Sequence, residues 1–343
     1  MTPSPPVPDP WPPGTTFETL IARNRRRSRL LVVVLALVGA LVFAAAGDIA
    51  AGGGLPAGPL LALVLLGLCA SGIAAAASLR FGSSVLLRFA GARQIERDDD
   101  PELWNVVEEM AIAAGTPMPT VHLIESPSLN AFATGRDPAH ASIAVTSALR
   151  QELNRDELQG VVAHEMSHVR HLDIRLMQLV ATMAGFIVLA ADAARFTTRG
   201  NRASRETSGT ARTDGAQGGG SGTAIVVMIG LVLMIVAPLI ARMLQLAISR
   251  EREYLADAGA VALTRNPLGL ASALRRLGSS TEPLASASRG NAHLWIVNPV
   301  LHARGRDDWD SVFSTHPPLA ERIARLDALA GGGRPQPRGG GQA

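Results

Sequence analysis

The sequence predicts an α+β protein, mainly α-helical, with four transmembrane helices and one small β-sheet. Three observations predict it. Apolar residues make up 47% of the 343-residue chain and charged residues only 18%, with a mean hydropathy of +0.21. A soluble domain carries about 25% charged residues. Four apolar runs contain no charge over 16 residues or more. Between the second and third runs, helical and strand-like patterns alternate.

Composition excludes several classes. The single cysteine, Cys69, rules out a disulfide scaffold. All 32 basic residues are Arg, nearly balanced by 29 acids, so the pI of about 10.2 goes with a net charge of only +3. No basic patch with interleaved aromatics is present, so no nucleic-acid partner is expected. The Arg bias with abundant Ala and Gly suggests a GC-rich bacterial genome.

Residues 1–29 are predicted as a disordered tail. Thr2–Pro13 is Pro-rich and cannot hold a helix, and Arg23–Arg29 is a basic cluster. Leu30–Gly47 is 18 residues without a charge. The next charge-free stretch, Ile49–Leu79, contains an apolar part at Leu60–Leu79 after a Gly/Pro link at 52–59. A hydrocarbon core of roughly 30 Å needs about 20 helical residues, so both runs can span. A cleaved signal peptide is the competing reading of the first run. The long tail before it and the second span after it oppose that reading. Arg lies before the first span and at Arg80, Arg88 and Arg93 after the second, while the loop between them has none. The positive-inside rule then places both flanks in the cytoplasm.

Residues 80–330 are predicted as one domain interrupted by a transmembrane hairpin at about 174–191 and 223–241. Leu176–Ala191 is 16 residues, about 24 Å as a helix, and is short for a span. Thr223–Ala241 is 19 residues long. The loop between them, 192–222, is rich in Gly, Ser and Thr and reads as flexible. Its five arginines (Arg195, Arg199, Arg202, Arg205, Arg212) resist an outside placement. A partly embedded hairpin is the competing arrangement. Residues 331–343 are a Gly/Arg tail.

Within the domain, Asp100-Pro101 opens a helix that Gly115 stops. Thr120–Glu125 alternates as a strand. Asn130–Thr134 and Ser142–Thr146 read as two strands joined by turn residues Gly135–Pro138. Helices follow from Ser147 and from Arg155 to beyond His168. Arg242–Leu263, Leu268–Leu277 and Pro318–Leu329 are predicted helices as well.

His164-Glu165-Met166-Ser167-His168 is an H-E-x-x-H motif. With 8 His and 14 Glu in the chain, chance supplies about 0.01 such motifs. Residues four apart share a helical face, so both imidazoles can reach one ion. Zinc accepts two imidazoles and a third ligand and keeps a position for water. Glu165 is placed to act on that water as a base. His171 is a poor third ligand, because the helix offers no glycine break before it. Glu253 and Asp257 are the better pair, four apart on one predicted helix. Glu253 can ligate, and Asp257 can orient a ligand imidazole. The plain alternative pairs both acids with Arg250 and Arg252 on a solvated face. His168 stands some six residues before the third span and Glu253 some eleven after the fourth, about 9 and 17 Å of helix. Both therefore fall just above the same membrane face.

H-E-M-S-H, two apolar runs, and then Ser249-Arg250 to Glu253-Tyr254 and Ala256-Asp257 resemble the HtpX group of membrane-bound zinc metalloproteases. These are of the gluzincin type, and the CAAX prenyl endopeptidases are more distant relatives. Asn130–Gly135 and Phe313–Pro318 also match segments of that group. The resemblance spans about Leu30 to Leu329. It implies a zincin-like metalloprotease domain facing the cytoplasm of a bacterial inner membrane. It implies one Zn2+ per chain held by His164, His168 and Glu253, with Glu165 as catalytic base and Asp257 behind His164. It makes Asn130, Ala131, Phe132 and Ala133 an edge strand that receives an extended substrate. It places His316 beside the developing oxyanion. The implied function is quality control, with unfolded or membrane proteins as substrates and lipid as surroundings. A catalytically silent, membrane-anchored zinc-binding scaffold or chaperone is the alternative. A prenyl-peptide protease would need more spans. A transporter would need ionisable groups within them.

Overall fold

Two long helices open the computed structural model, which describes residues 17–51, 54–182, 250–280, 282, 284, 292–297 and 317–331. Helix α1 is Phe17–Ala50 and α2 is Ala57–Phe89; residues 17–29, expected in a disordered tail, are instead helical, because the basic cluster carries a face that buries Asn24 and Ser28. At 34 and 33 residues, each measures about 50 Å, more than a hydrocarbon core of roughly 30 Å. The short link turns the chain back, and Asp48 Oδ1 fastens it by accepting from Leu55 N–H at 2.7 Å. The two helices pack side by side. Their outer faces expose Leu30, Leu37 and Leu41 on α1 and Leu61, Leu65, Leu66 and Ile73 on α2. Such an apolar surface belongs against lipid rather than water. Among the described residues, α2 is the helix long and apolar enough to cross a membrane.

Strand β1 (Ala92–Gln94) follows, then α3 (Pro101–Ala114). Asp100 caps α3 by accepting from Leu103 N–H, and Gly115 ends it in the left-handed region at φ +66°. Strands β2 (Thr120–Ile124), β3 (Ala131–Gly135) and β4 (Ala141–Thr146) complete a sheet of order β1-β2-β4-β3. The β2–β4 pair is parallel and the other two are antiparallel. Strand β3 therefore lies at the sheet edge. The sequence shows no sign of β1, a three-residue strand without an apolar alternation.

Helix α4 is Ser147–Glu152 and α5 is Arg155–Arg170. A reciprocal capping box between Asn154 and Glu157 starts α5. From Glu157 to Val169 the helix is buried except at Gln159, because α3, β3 and the later helices surround it. Residues 173–182 form α6. Helices α7 (Arg250–Thr264), α8 (Pro267–Ser279) and α9 (Leu319–Gly331) close the described structure. The core under α5 is built from Leu103, Val106, Val121, Ile143, Leu158, Val162, Leu270 and Leu274. The third apolar run enters α6 and continues outside the described residues. The Thr223–Ala241 run, the 192–222 loop, His316 and both chain ends also lie outside them.

Backbone contact sets the height of α5 against α8. A Cβ on Gly160 would stand 2.7 Å from the Leu270 nitrogen and 2.8 Å from its Cα. Only backbone can yield there. Gly160→Ala should therefore destabilise the protein by about 1–3 kcal/mol and lower its melting temperature in detergent. Gly58→Ala, which meets nothing within 4 Å, should leave it unchanged.

Candidate active site

Helix α5 presents His164, Glu165 and His168, and α7 presents Glu253 and Asp257 one turn apart. The two helices lie close because Gly259 faces Ser167, where a Cβ would collide. The Nε2 atoms of His164 and His168 are 3.3 Å apart. Glu253 Oε2 is 3.7 Å from His164 Nε2, and Oε1 is 3.8 Å from His168 Nε2. One ligand atom from each of the three buried residues lies within 4.8 Å of the others.

The far side of each ring explains this orientation. His164 Nδ1 is 3.0 Å from Asp257 Oδ1. His168 Nδ1 is 3.1 Å from Asp173 Oδ2. A neutral imidazole that donates from Nδ1 leaves a lone pair on Nε2. Two such lone pairs then face each other beside a carboxylate. That is a poor arrangement for three neighbours alone and a good one around a cation. Tetrahedral zinc at 2.0–2.1 Å from each nitrogen would hold them about 3.3 Å apart. The donor set fits a divalent ion.

Each carboxylate behind a ring has its own partner. Arg322 of α9, fully buried, grips Asp257 with Nε at 2.9 Å and Nη2 at 2.7 Å. Its Nη1 is 3.8 Å from Glu253. Burial alone would raise Asp257, but Arg322 and His164 hold it below the usual carboxylate range. Burial likewise opposes the ionisation of Asp173, which His168 and Arg252 outweigh. Asp173 Oδ1 accepts from Asn24 Nδ2 at 2.7 Å.

Glu165 is buried and accepts from Ala133 N–H on the outer edge of β3. Burial, joined by the charge of Glu253, pushes its carboxyl up to about 7 against the opposing charge of His168. Burial works against a charge on His168, yet the hydrogen bond to Asp173 and the Glu253 carboxylate push it up to about 9. His164 is lowered, chiefly by burial.

Asp257 is thus not on a solvated face with Arg250 and Arg252. It is buried between His164 and Arg322. His171 caps the end of α5 outside the trio, 3.3 Å from Ser167 Oγ, and burial pushes it down to about 4. The expected edge strand is partly covered by the chain itself. Ala131 carbonyl accepts from Ile296 N–H at 3.1 Å, and Asn130 Nδ2 donates to the Val297 carbonyl at 2.8 Å. Trp295 meets Phe132 edge-on at 4.8 Å. Ala133 lies beyond this cover and faces Glu165.

Sequence reasoning missed Asp173, Arg322 and Asn24. Arg322 left a signal, since it stands on the apolar stripe of Leu319, Ile323 and Leu326. Asp173 closes an H-x4-D spacing after His168, which has no meaning until the turn at 171–172 is known.

A protease HtpX homolog from Ligilactobacillus salivarius (strain UCC118) is 39% identical over 309 residues, covering 90% of this chain and 98% of the relative. Another, from Caldanaerobacter subterraneus subsp. tengcongensis, is 48% identical over 235 residues, 67% of this chain and 74% of the relative. The crystal structure of S. mikatae Ste24p matches with a TM-score of 0.46 at 21% identity, covering 90% of this chain and 67% of that one. The model of peptidase family M48 matches residues 97–330. That match takes in strands β2 to β4, the buried H-E-x-x-H helix and the Glu253 helix, and the chain belongs to peptidase family M48.

Proposed function

We propose that this peptidase is a zinc endopeptidase of a bacterial inner membrane that cuts misfolded or damaged membrane proteins on the cytoplasmic side. The observation that carries the reading is the pair of inward-facing ring nitrogens, 3.3 Å apart, with a buried glutamate next in sequence to one of them. His164, His168 and Glu253 would hold one zinc ion per chain. Bound there, zinc supplies Lewis-acid polarisation of a peptide carbonyl and acidifies a neighbouring water.

The protein groups do the rest. Glu165 takes the proton from the attacking water and passes it to the departing amine nitrogen as the C–N bond breaks. Ala133 N–H orients the carboxylate. Asp257 and Asp173 fix the two imidazoles. His316 is assigned to donate a hydrogen bond to the developing oxyanion. An extended substrate adds to the edge of β3 from Ala133 onward, or displaces residues 295–297 to reach Asn130, Ala131 and Phe132. Four spans are proposed: α1, α2 and the two later apolar runs. The basic cluster of α1 and Arg88 of α2 set the cytoplasmic side.

The covered edge at Ala131 gives a second reading some support, a silent zinc-binding scaffold. The two are separated by comparing detergent-purified wild type with Glu165→Gln on unfolded casein. Both should bind one zinc per chain. Wild type should cleave only with zinc, and the variant should be slower by about 10²-fold or more. Zinc binding without cleavage by either protein would install the scaffold reading. Equal cleavage by both would remove Glu165 as base.

The metal-free chain carries a second prediction. The pKa of His168 rises from 6.5 to about 9 on folding. A raised folded pKa stabilises the fold fully below the unfolded value, and that stability is lost as pH rises through the folded value. Glu165 acts with the same sign between 4.5 and about 7. With EDTA present, the melting temperature should therefore fall as pH rises from about 6.5 to 9. Zinc takes the place of the proton, so the zinc-loaded chain should hold its melting temperature over the same window.

A further inference from the structure

Asn24 sits in the basic cluster of α1 among Arg23, Arg25, Arg26 and Arg29, all exposed. It is itself only 3% exposed. Its amide donates to Asp173 Oδ1 at 2.7 Å and to the His171 carbonyl at 2.8 Å. Asp173 uses its other oxygen on His168 Nδ1, at 3.1 Å. Between the two acceptors of Asn24 stands Leu172, at φ +60°. A leucine keeps that left-handed state only where its surroundings hold it. Asn24 spans this turn and ties both of its ends.

We propose that Asn24 is a positioning residue of the metal site, acting on His168 through Asp173, and that it makes helix α1 part of that site. The proposal rests on His164, His168 and Glu253 being the zinc ligands. A ligand imidazole keeps its aim only if the acceptor behind it is itself held. The neighbouring guanidinium of Arg252 is 3.6 Å from Asp173 Oδ1, beyond hydrogen-bond range. A neutral amide suits the place, because it donates without drawing the carboxylate charge away from the ring. Helix α1 runs unbroken from Phe17 to Ala50. The charge-free run begins at Leu30, six residues on from Asn24, about 9 Å of helix. A displacement of the apolar part of α1 is therefore carried to Asn24, and through Asp173 to His168.

The test uses the full-length chain in detergent. Zinc affinity is read by chelator competition, and site geometry by the visible spectrum after cobalt(II) reconstitution. Asn24→Ala should weaken zinc binding roughly 10-fold and alter the cobalt band. Ser28→Ala is the control for packing of α1. Ser28 is buried one turn along the same face, and its hydroxyl has no hydrogen-bond partner among the described residues. This variant should match wild type in both readouts. In an Asp173→Ala background, Asn24→Ala should add nothing further to the loss. If Asn24→Ala does not fold, Asn24→Leu, which keeps the volume and removes both donors, is measured with the same expectations. Wild-type zinc affinity in the Asn24 variant, or an undiminished effect in the Asp173→Ala background, overturns the proposal while leaving the zinc site intact. A wild-type chain that takes up no zinc overturns the zinc reading and this proposal with it.

Discussion

Two imidazole nitrogens facing each other in a buried helix crossing are the constraint on which the rest of this structure depends. Burying an ionisable group costs several kcal/mol unless it is paired and hydrogen-bonded. Here two imidazoles, Glu165 and Glu253 are buried within a few ångströms. Each ring nitrogen that turns inward obliges the other to find an acceptor outside. Each acceptor is a carboxylate, Asp257 or Asp173, and so needs a donor of its own. Arg322 serves one and Asn24 the other, with Arg252 nearby. That chain of obligations explains why side chains from α9 and from α1 both reach the carboxylates behind the two imidazoles.

The same constraint explains the packing of α5. A helix surrounded on all sides has no solvated face on which to place bulk. Its neighbours approach at backbone distance, and glycines mark the contacts. Gly160 meets α8, Gly269 meets the Asp156 carbonyl, and Gly259 meets Ser167. Polar residues buried on such a helix each have a partner. Ser167 lies near His171, and Glu157 takes Ser272 and Arg276 beside its own cap.

What could be read from the sequence was local. Helix α3 announces itself by Asp100-Pro101 and Gly115, β3 and β4 by β-type patterns around a turn, and the H-E-x-x-H motif by its spacing on one helix face. Glu253 and Asp257 needed only the i, i+4 rule and the expectation of a third ligand. The missed groups act across long separations. Asn24 and Asp173 are 149 residues apart, Arg322 and Asp257 are 65 apart, and Asn130 and Val297 are 167 apart. A polar residue inside an arginine cluster reads as solvated until another element covers it. Strand β1 pairs through backbone alone, so no side-chain pattern records it. The cover on Ala131 escaped for a related reason. The segment that supplies it, residues 295–297, carries neither strand alternation nor turn signals.

Both opening helices are hooked to the catalytic groups, each by a different route. Helix α1 reaches His168 through Asn24 and Asp173. Helix α2 reaches β3 through Gln178 of α6, which donates to the Ser78 carbonyl at 2.6 Å and accepts from Thr134 Oγ1 at 3.4 Å. Ser78 and Thr182 hydroxyls also pair. Gly82 leaves room for Gln178, since a Cβ there would stand 2.8 Å from its amide nitrogen. Thr134 adjoins Ala133, whose N–H holds Glu165. One apolar helix is thus linked to the imidazole of His168 and the other to the strand whose N–H holds the Glu165 carboxylate. A soluble zincin domain would need neither link. Their presence means that the geometry of the site and the seating of the two helices are one mechanical problem. A membrane protease gains from that coupling, because its site is then held in register with the helices that seat it in the bilayer.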